Sequence, residues 1–124
     1  LGCVHSLSHS LGGVNPGLHH GTLNAIFLPA VVRFNSEAAS VRQEQRLDRL
    51  AQAMGLSGGD AVALALAAMV QTLNLPAGLA ALGVVPGQFD TIIAHALADH
   101  CHKTNPRQAS REDYLQMLED SMRI

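Results

Sequence analysis

The chain has no tryptophan and only 3% aromatic residues, a scarcity that argues against β-sheet, where aromatic and β-branched side chains are favoured. Runs of one charge are missing too. Eight Lys and Arg stand against ten Asp and Glu, for a formal net charge of -2. No basic stripe offers itself to nucleic acid. The longest apolar run, Ala61 to Val70, falls well short of the roughly 20 residues that a bilayer-spanning helix needs, so no membrane association is expected. The two cysteines, Cys3 and Cys101, lie far apart, make no disulfide framework and suit a reducing, cytoplasmic setting. No secretory leader and no Met open the chain. It begins at Leu1 with what already reads as helix, so residues 1–124 are expected to be one piece of a longer protein.

What is present favours packed helices. The composition is 48% hydrophobic, rich in Ala and Leu, and the length suits one domain with a real core. Residues 1–12 read as a short helix ended by Gly12-Gly13. A second spans 20–34, with Leu23, Ile26, Phe27, Ala30, Val31 and Phe34 at helical spacing and Pro29 expected to kink it. Asn35 or Ser36 can cap a third, from Glu37 to Met54, stopped by Gly55. Its face of Arg42, Arg46 and Arg49 is expected in solvent. Ser57-Gly-Gly-Asp60 has capping-box spacing. The segment after it, Asp60 to Leu73, is apolar nearly all round, which predicts the centre of the bundle. A connection from Pro76 to Pro86 holds a short helical turn, and a helix from Gln88 to Cys101 follows. Asn105-Pro106-Arg107 breaks the chain, and Ser110-Arg-Glu-Asp113 starts the last helix. The fold class is all-α, a bundle of six or seven helices, with no repeat and no strand pattern.

Chemistry concentrates in the histidines. Four of the seven, His5, His9, His19 and His20, fall in the first 20 residues; His95, His100 and His102 lie late. His5 and His9 are four apart, on one face of a helix. The Asn15-Pro16-Gly17 turn then lets His19 or His20 return toward the same point. Neutral imidazole is the commonest transition-metal ligand, and a helix N-terminus favours the uncharged form of an imidazole placed there. Two imidazoles a turn apart can share a metal, or one can coordinate while the other relays a proton. A protein metal site takes three or four ligands, and no Asp or Glu lies within this cluster, so the chain is one or two ligands short. On spacing alone, surface or hydrogen-bonded core histidines are the default reading. In the late group, His95, Asp99 and His102 fall at i, i+4 and i+7 beside Cys101. A helix C-terminus attracts histidines for dipole reasons, which is the simpler account of them. Cys3 reads as a small core residue.

The run His5-Ser-Leu-Ser-His9-Ser-Leu-Gly-Gly followed by His20-Gly21-Thr-Leu-Asn24-Ala25-Ile-Phe-Leu28-Pro29 resembles the signature of the iron-dependent (group III) alcohol dehydrogenases. Ala96-Leu97-Ala98-Asp99 through Thr104-Asn105-Pro106-Arg107 and Ser110-Arg-Glu-Asp113 resembles the C-terminal end of the same family. The resemblance implies the helical domain of the dehydroquinate synthase-like fold, residues 1–124 forming a metal-binding domain whose partner is an upstream dinucleotide-binding α/β domain. It makes His5 and His20 metal ligands and His9 a proton relay beside the reacting carbon. An Asp and a His upstream of Leu1 would complete the site. One residue more separates His5 from His20 than the family's usual spacing, which would select His19. The His-Gly-x-x-Asn-Ala register selects His20, with His19 as the alternative. The implied cofactors are Fe(II), or zinc or another divalent metal, and NAD or NADP. The implied partner is a small alcohol or aldehyde, and the full-length protein is expected to be a homo-oligomer. Two other readings stand beside this one. The first is a related enzyme of the same architecture, such as a glycerol dehydrogenase, dehydroquinate synthase or maleylacetate reductase. The second is a stand-alone helical metal-binding module.

Overall fold

The computed structural model describes residues 1–124. It contains seven α-helices, α1 (Cys3–Val14), α2 (His20–Asn35), α3 (Ala39–Gln43), α4 (Arg46–Ala53), α5 (Val62–Thr72), α6 (Phe89–Ala98) and α7 (Arg111–Ser121). Short 3-10 turns punctuate them at Gly59–Ala61, Leu79–Leu82, Pro86–Gln88 and His100–Thr104. The bundle expected from composition is thus present, with no strand.

The contiguous core draws on α1, α2, α6 and α7, with Leu79, Val84 and Ala109 from the connections, and takes nothing from α3 to α5. Its middle is α1, packed against α6 on one side and α2 on the other. Cys3, Val4, Ser6, Leu7, Ser8, Ser10 and Leu11 are all buried. A buried hydroxyl needs a partner, and here the helix backbone supplies it: Ser6 Oγ donates to the Gly2 carbonyl, Ser8 Oγ to His5 and Ser10 Oγ to Ser6. Three serines thereby become compatible with the interior. The residues of α1 left toward water are His5, His9, Gly12, Gly13 and Val14, with the two histidines on one face at helical spacing.

Several boundaries differ from those expected. α1 runs through both glycines to Val14 and stops at Asn15 (φ -124°, ψ 81°), because the residue before a proline is pushed out of the helical region. α2 passes through Pro29 to Asn35. The expected 37–54 helix is two helices, broken where Gln45 adopts a left-handed conformation (φ 50°, ψ 39°). Only Val41 in α3 and Ala51 in α4 are buried. Ten residues of unbroken helix would set these two about 80° out of phase; the break lets both face the bundle. The expected central helix, α5, lies on the flank against α2. Its Leu64, Leu73 and Met69 are 74%, 62% and 49% exposed. Residues 57–60 make no capping box. The Gly59 N–H donates instead to Asp48 Oδ1 of α4 (2.8 Å), and α5 begins only at Val62.

α7 starts as expected. Ser110 Oγ accepts from the Asp113 N–H (3.1 Å), and Asp113 Oδ2 accepts from the Ser110 N–H (2.8 Å). The Asn105-Pro106-Arg107 break ties three elements together. Asn105 Oδ1 accepts from the Cys3 N–H (3.2 Å), so α1, whose own cap position is Gly2, is capped from the far end of the chain. Gly2 stands at φ 82°, and a Cβ there would lie 2.7 Å from Asn105 Oδ1, so only glycine fits. Asn105 Nδ2 donates to Asn35 Oδ1 and to the Arg107 carbonyl, both at 2.7 Å. Arg107 in turn donates to the Phe34 carbonyl in the last turn of α2 and stacks its guanidinium 4.1 Å over the Phe34 ring.

Replacing Ser110 by Ala is expected to remove about 1 kcal/mol of stability, read as a lower urea midpoint at unchanged m-value. Asn105→Ala leaves the buried Cys3 N–H without an acceptor and should cost about 2 kcal/mol in the same measurement.

Candidate functional site

The stripe on which α1 reaches the surface meets the start of α2. α1 ends at the Asn15-Pro16-Gly17 turn, where the Leu18 N–H returns to the Asn15 carbonyl (3.0 Å), and α2 begins at His20. The three rings form a near-equilateral cluster. His5 and His9 centroids are 5.7 Å apart, His5 and His20 5.4 Å, and His9 and His20 5.3 Å, the last pair stacked within 15°. His19 takes no part; its ring folds over Gly21 on the exposed side of the α2 start. Of the two candidates for the returning histidine, His20 is the one that arrives. Asn24, one turn along α2, donates through Nδ2 to His20 Nε2 (3.1 Å) and holds that ring.

His5 sits deepest. Burial lowers its affinity for a proton, the neighbouring His20 and His9 rings act in the same direction, and Asp99 opposes them. Its Nδ1 is buried without a hydrogen-bond partner, as is the Asn24 Oδ1 close by. Unpartnered buried polar atoms are uncommon in folded proteins, and two of the three in this chain lie at this cluster.

The late residues divide. α6 ends at Ala98 rather than Cys101, since Asp99 is extended (φ -70°, ψ 141°) and starts the His100–Thr104 turn. The expected i, i+4, i+7 face therefore does not form. His95 stays exposed on α6. His102 is buried: Gln108 Nε2 donates to its Nε2 (2.7 Å), so its Nδ1–H donates to the Tyr114 hydroxyl (2.9 Å). Both nitrogens are engaged, and His102 holds the turn onto α7. Asp99 goes the other way, toward the early histidines. Its Oδ2 accepts from His9 Nδ1 (3.1 Å) and its Oδ1 from the Cys101 N–H (2.7 Å). Burial alone would raise this carboxyl, but the Cys101 amide and the His9 ring outweigh it and hold it below the usual carboxylate range. His100 stacks on His9 at 6.0 Å with an exposed ring.

Donor atoms of His9, Asp99 and Cys101 also lie within 4.8 Å of one another. This trio is poorly suited to a cation. Each Asp99 oxygen already accepts one hydrogen bond, from His9 or the Cys101 amide, and burial with the adjacent carboxylate pushes the Cys101 thiol up, keeping it protonated. Sequence reasoning did not connect Asp99 to the early histidines. The one signal for it was an Asp at cap position ahead of a His-Cys-His turn. The three surface hollows of the chain all lie elsewhere, beside α3, α4 and α7. The histidine cluster is an open surface site.

Comparison with known proteins agrees with this picture. The profile of the Fe-containing alcohol dehydrogenase family, C-terminal, matches residues 1–122. A 4-hydroxybutyrate dehydrogenase of Cupriavidus necator is 55% identical over 98% of this chain and 33% of its own length. Alcohol dehydrogenase 4 of Saccharomyces cerevisiae is 37% identical over 95% of this chain and 31% of its own. Among solved structures, a 1,3-propanediol oxidoreductase superposes with a TM-score of 0.87 at 28% identity, over 98% of this chain and 32% of that one. The chain spans about a third of the length of the curated relatives it matches. Fold, histidine register and sequence likeness thus converge: the chain belongs to the Fe-containing alcohol dehydrogenase family, whose C-terminal part it matches.

Proposed function

We propose that the chain is the helical, metal-binding third of an NAD(P)-dependent dehydrogenase that interconverts a small alcohol and its aldehyde. The observation that carries this reading is the convergence of His5, His9 and His20 from two helices on one open point of the surface. The donor set fits a divalent cation such as Fe(II) or Zn(II). Two imidazoles on neighbouring helices supply nitrogen ligands, and the buried Nδ1 of His5 has no partner in the chain. His5 and His20 are the proposed ligands. A site of three or four ligands would draw the rest from an upstream nucleotide-binding segment. When bound, the metal supplies Lewis acidity at the substrate oxygen and the nicotinamide supplies the hydride acceptor. His9, one turn from His5 and stacked on His20, is the group placed to hold or pass the substrate proton. The 55% identity to a 4-hydroxybutyrate dehydrogenase makes a terminal alcohol of a short hydroxy acid the first substrate class.

Two measurements test this reading. In the full-length protein, His5→Ala and His20→Ala should each weaken cobalt(II) binding by roughly tenfold or more, followed by the visible absorption of the bound ion, while His19→Ala leaves it unchanged. Binding lost on removing His19 and kept on removing His20 would reverse the ligand assignment. The same protein should form NAD(P)H with 4-hydroxybutyrate. Side-by-side assays of NAD(P)H formation with methanol and 1-propanol, and of NAD(P)H consumption with maleylacetate, rank the related activities, and activity with none of the four would sink the dehydrogenase reading.

A further inference from the structure

We infer that Asp99 is the positioning residue of His9: its carboxylate holds the ring as the Nδ1–H tautomer and leaves Nε2 as the basic atom of the site. A carboxylate can only accept, so the 3.1 Å contact between His9 Nδ1 and Asp99 Oδ2 requires the proton on Nδ1. His9 Nε2 makes no hydrogen bond within the chain and carries the free lone pair.

The carboxylate is fixed from its other side. Oδ1 accepts from the Cys101 N–H at 2.7 Å, where Asp99 caps the His100–Thr104 turn. Capping needs one acceptor oxygen, which Ser or Asn would supply as well. The second oxygen is therefore not explained by the turn, and it is the one that meets a ring 90 residues away in sequence. The backbone is shaped for this. α6 stops one residue before Asp99, whose extended conformation takes it off the helix and toward α1. The side chain is only 15% exposed, so water competes weakly for either oxygen. His100, the other imidazole near Asp99, stands 3.8 Å from Oδ1 with its ring 80% exposed, and does not displace His9.

The inference rests on the dehydrogenase reading for its purpose. In that reaction the O–H bond of the alcohol breaks, an N–H bond forms at His9 Nε2, and the electron pair stays on the oxygen until the hydride leaves to the nicotinamide. The resulting imidazolium keeps its Nδ1–H on Asp99 and is stabilised by that charge.

The test begins without any activity. Long-range proton–nitrogen correlation spectra of the full-length, histidine-labelled, metal-free protein report the tautomer of each ring, and His9→Gln identifies the His9 signals. The expected result is a protonated Nδ1 and a bare Nε2. An Nε2–H tautomer in the unaltered chain would overturn the proposal with no variant needed. In Asp99→Asn the amide oxygen stays with the Cys101 N–H, so the NH2 group faces Nδ1 and should drive the ring to the Nε2–H form. An unchanged tautomer also overturns it. In the full-length enzyme Asp99→Asn should lower kcat about tenfold or more with little change in KM. A flipped tautomer with unchanged kcat would overturn the positioning role. If the tautomer behaves as stated and the unaltered enzyme oxidises no alcohol, the dehydrogenase reading fails and the Asp99–His9 assignment stands.

Discussion

The packing of α1 between α2 and α6 governs the rest of the molecule, because it leaves this helix a single row of side chains in touch with water. Leu7 and Leu11 are fully buried, each contributing on the order of 1.5–3 kcal/mol relative to exposure. The buried serines close their hydroxyls on the helix's own carbonyls. Nothing polar remains to be accommodated except His5 and His9, and these come out where α2 begins and where the turn after α6 arrives. The histidine cluster is thus a by-product of how the most buried helix surfaces. Its geometry is inherited from the core rather than from a flexible loop.

The ends of that helix are secured by residues far away in the chain. Asn105 caps its start, joins Asn35 of α2, and leads into Arg107, which closes the last turn of α2 over Phe34. A few residues earlier, Asp99 reaches the same helix nearly two turns along, at His9. The stretch from Asp99 to Arg107 therefore works as a brace. It fixes the position of α1 through Asn105 and the orientation of one ring through Asp99, and His102 pins the brace itself to α7 through Tyr114.

Much of this was legible in the residues. The helix count, the His5/His9 face, the return of a histidine at the start of α2 and the Ser110–Asp113 box all rest on local rules, and local rules hold where tertiary packing does not oppose them. The misplaced features depended on what lies opposite. An apolar run such as Ala61 to Val70 reports that a helix is not fully wet, yet α5 packs mainly on α2, touches α4 only lightly, and leaves Leu64 and Met69 exposed. α1, with two histidines and three serines, reads as less apolar and occupies the centre, since serine hydroxyls find their acceptors locally. The break at Gln45 answers to a phase mismatch between Val41 and Ala51 that spacing alone leaves undecided. Asp99 was passed over because its partner is remote in sequence, and no period or cap rule links residues so far apart.

The outward side of α5 sets how the chain behaves as a colloid. Leu64 and Met69 of α5, and Leu73 just past its end, are exposed aliphatic groups on a segment, Val62 to Leu73, that carries no charged residue. Exposed aliphatic surface lowers the solubility of a chain. Sulfate and similar excluded salts strengthen that tendency. The purified chain should therefore be retained on alkyl-substituted resins and precipitate early in an ammonium sulfate fractionation, for reasons unconnected with its chemistry.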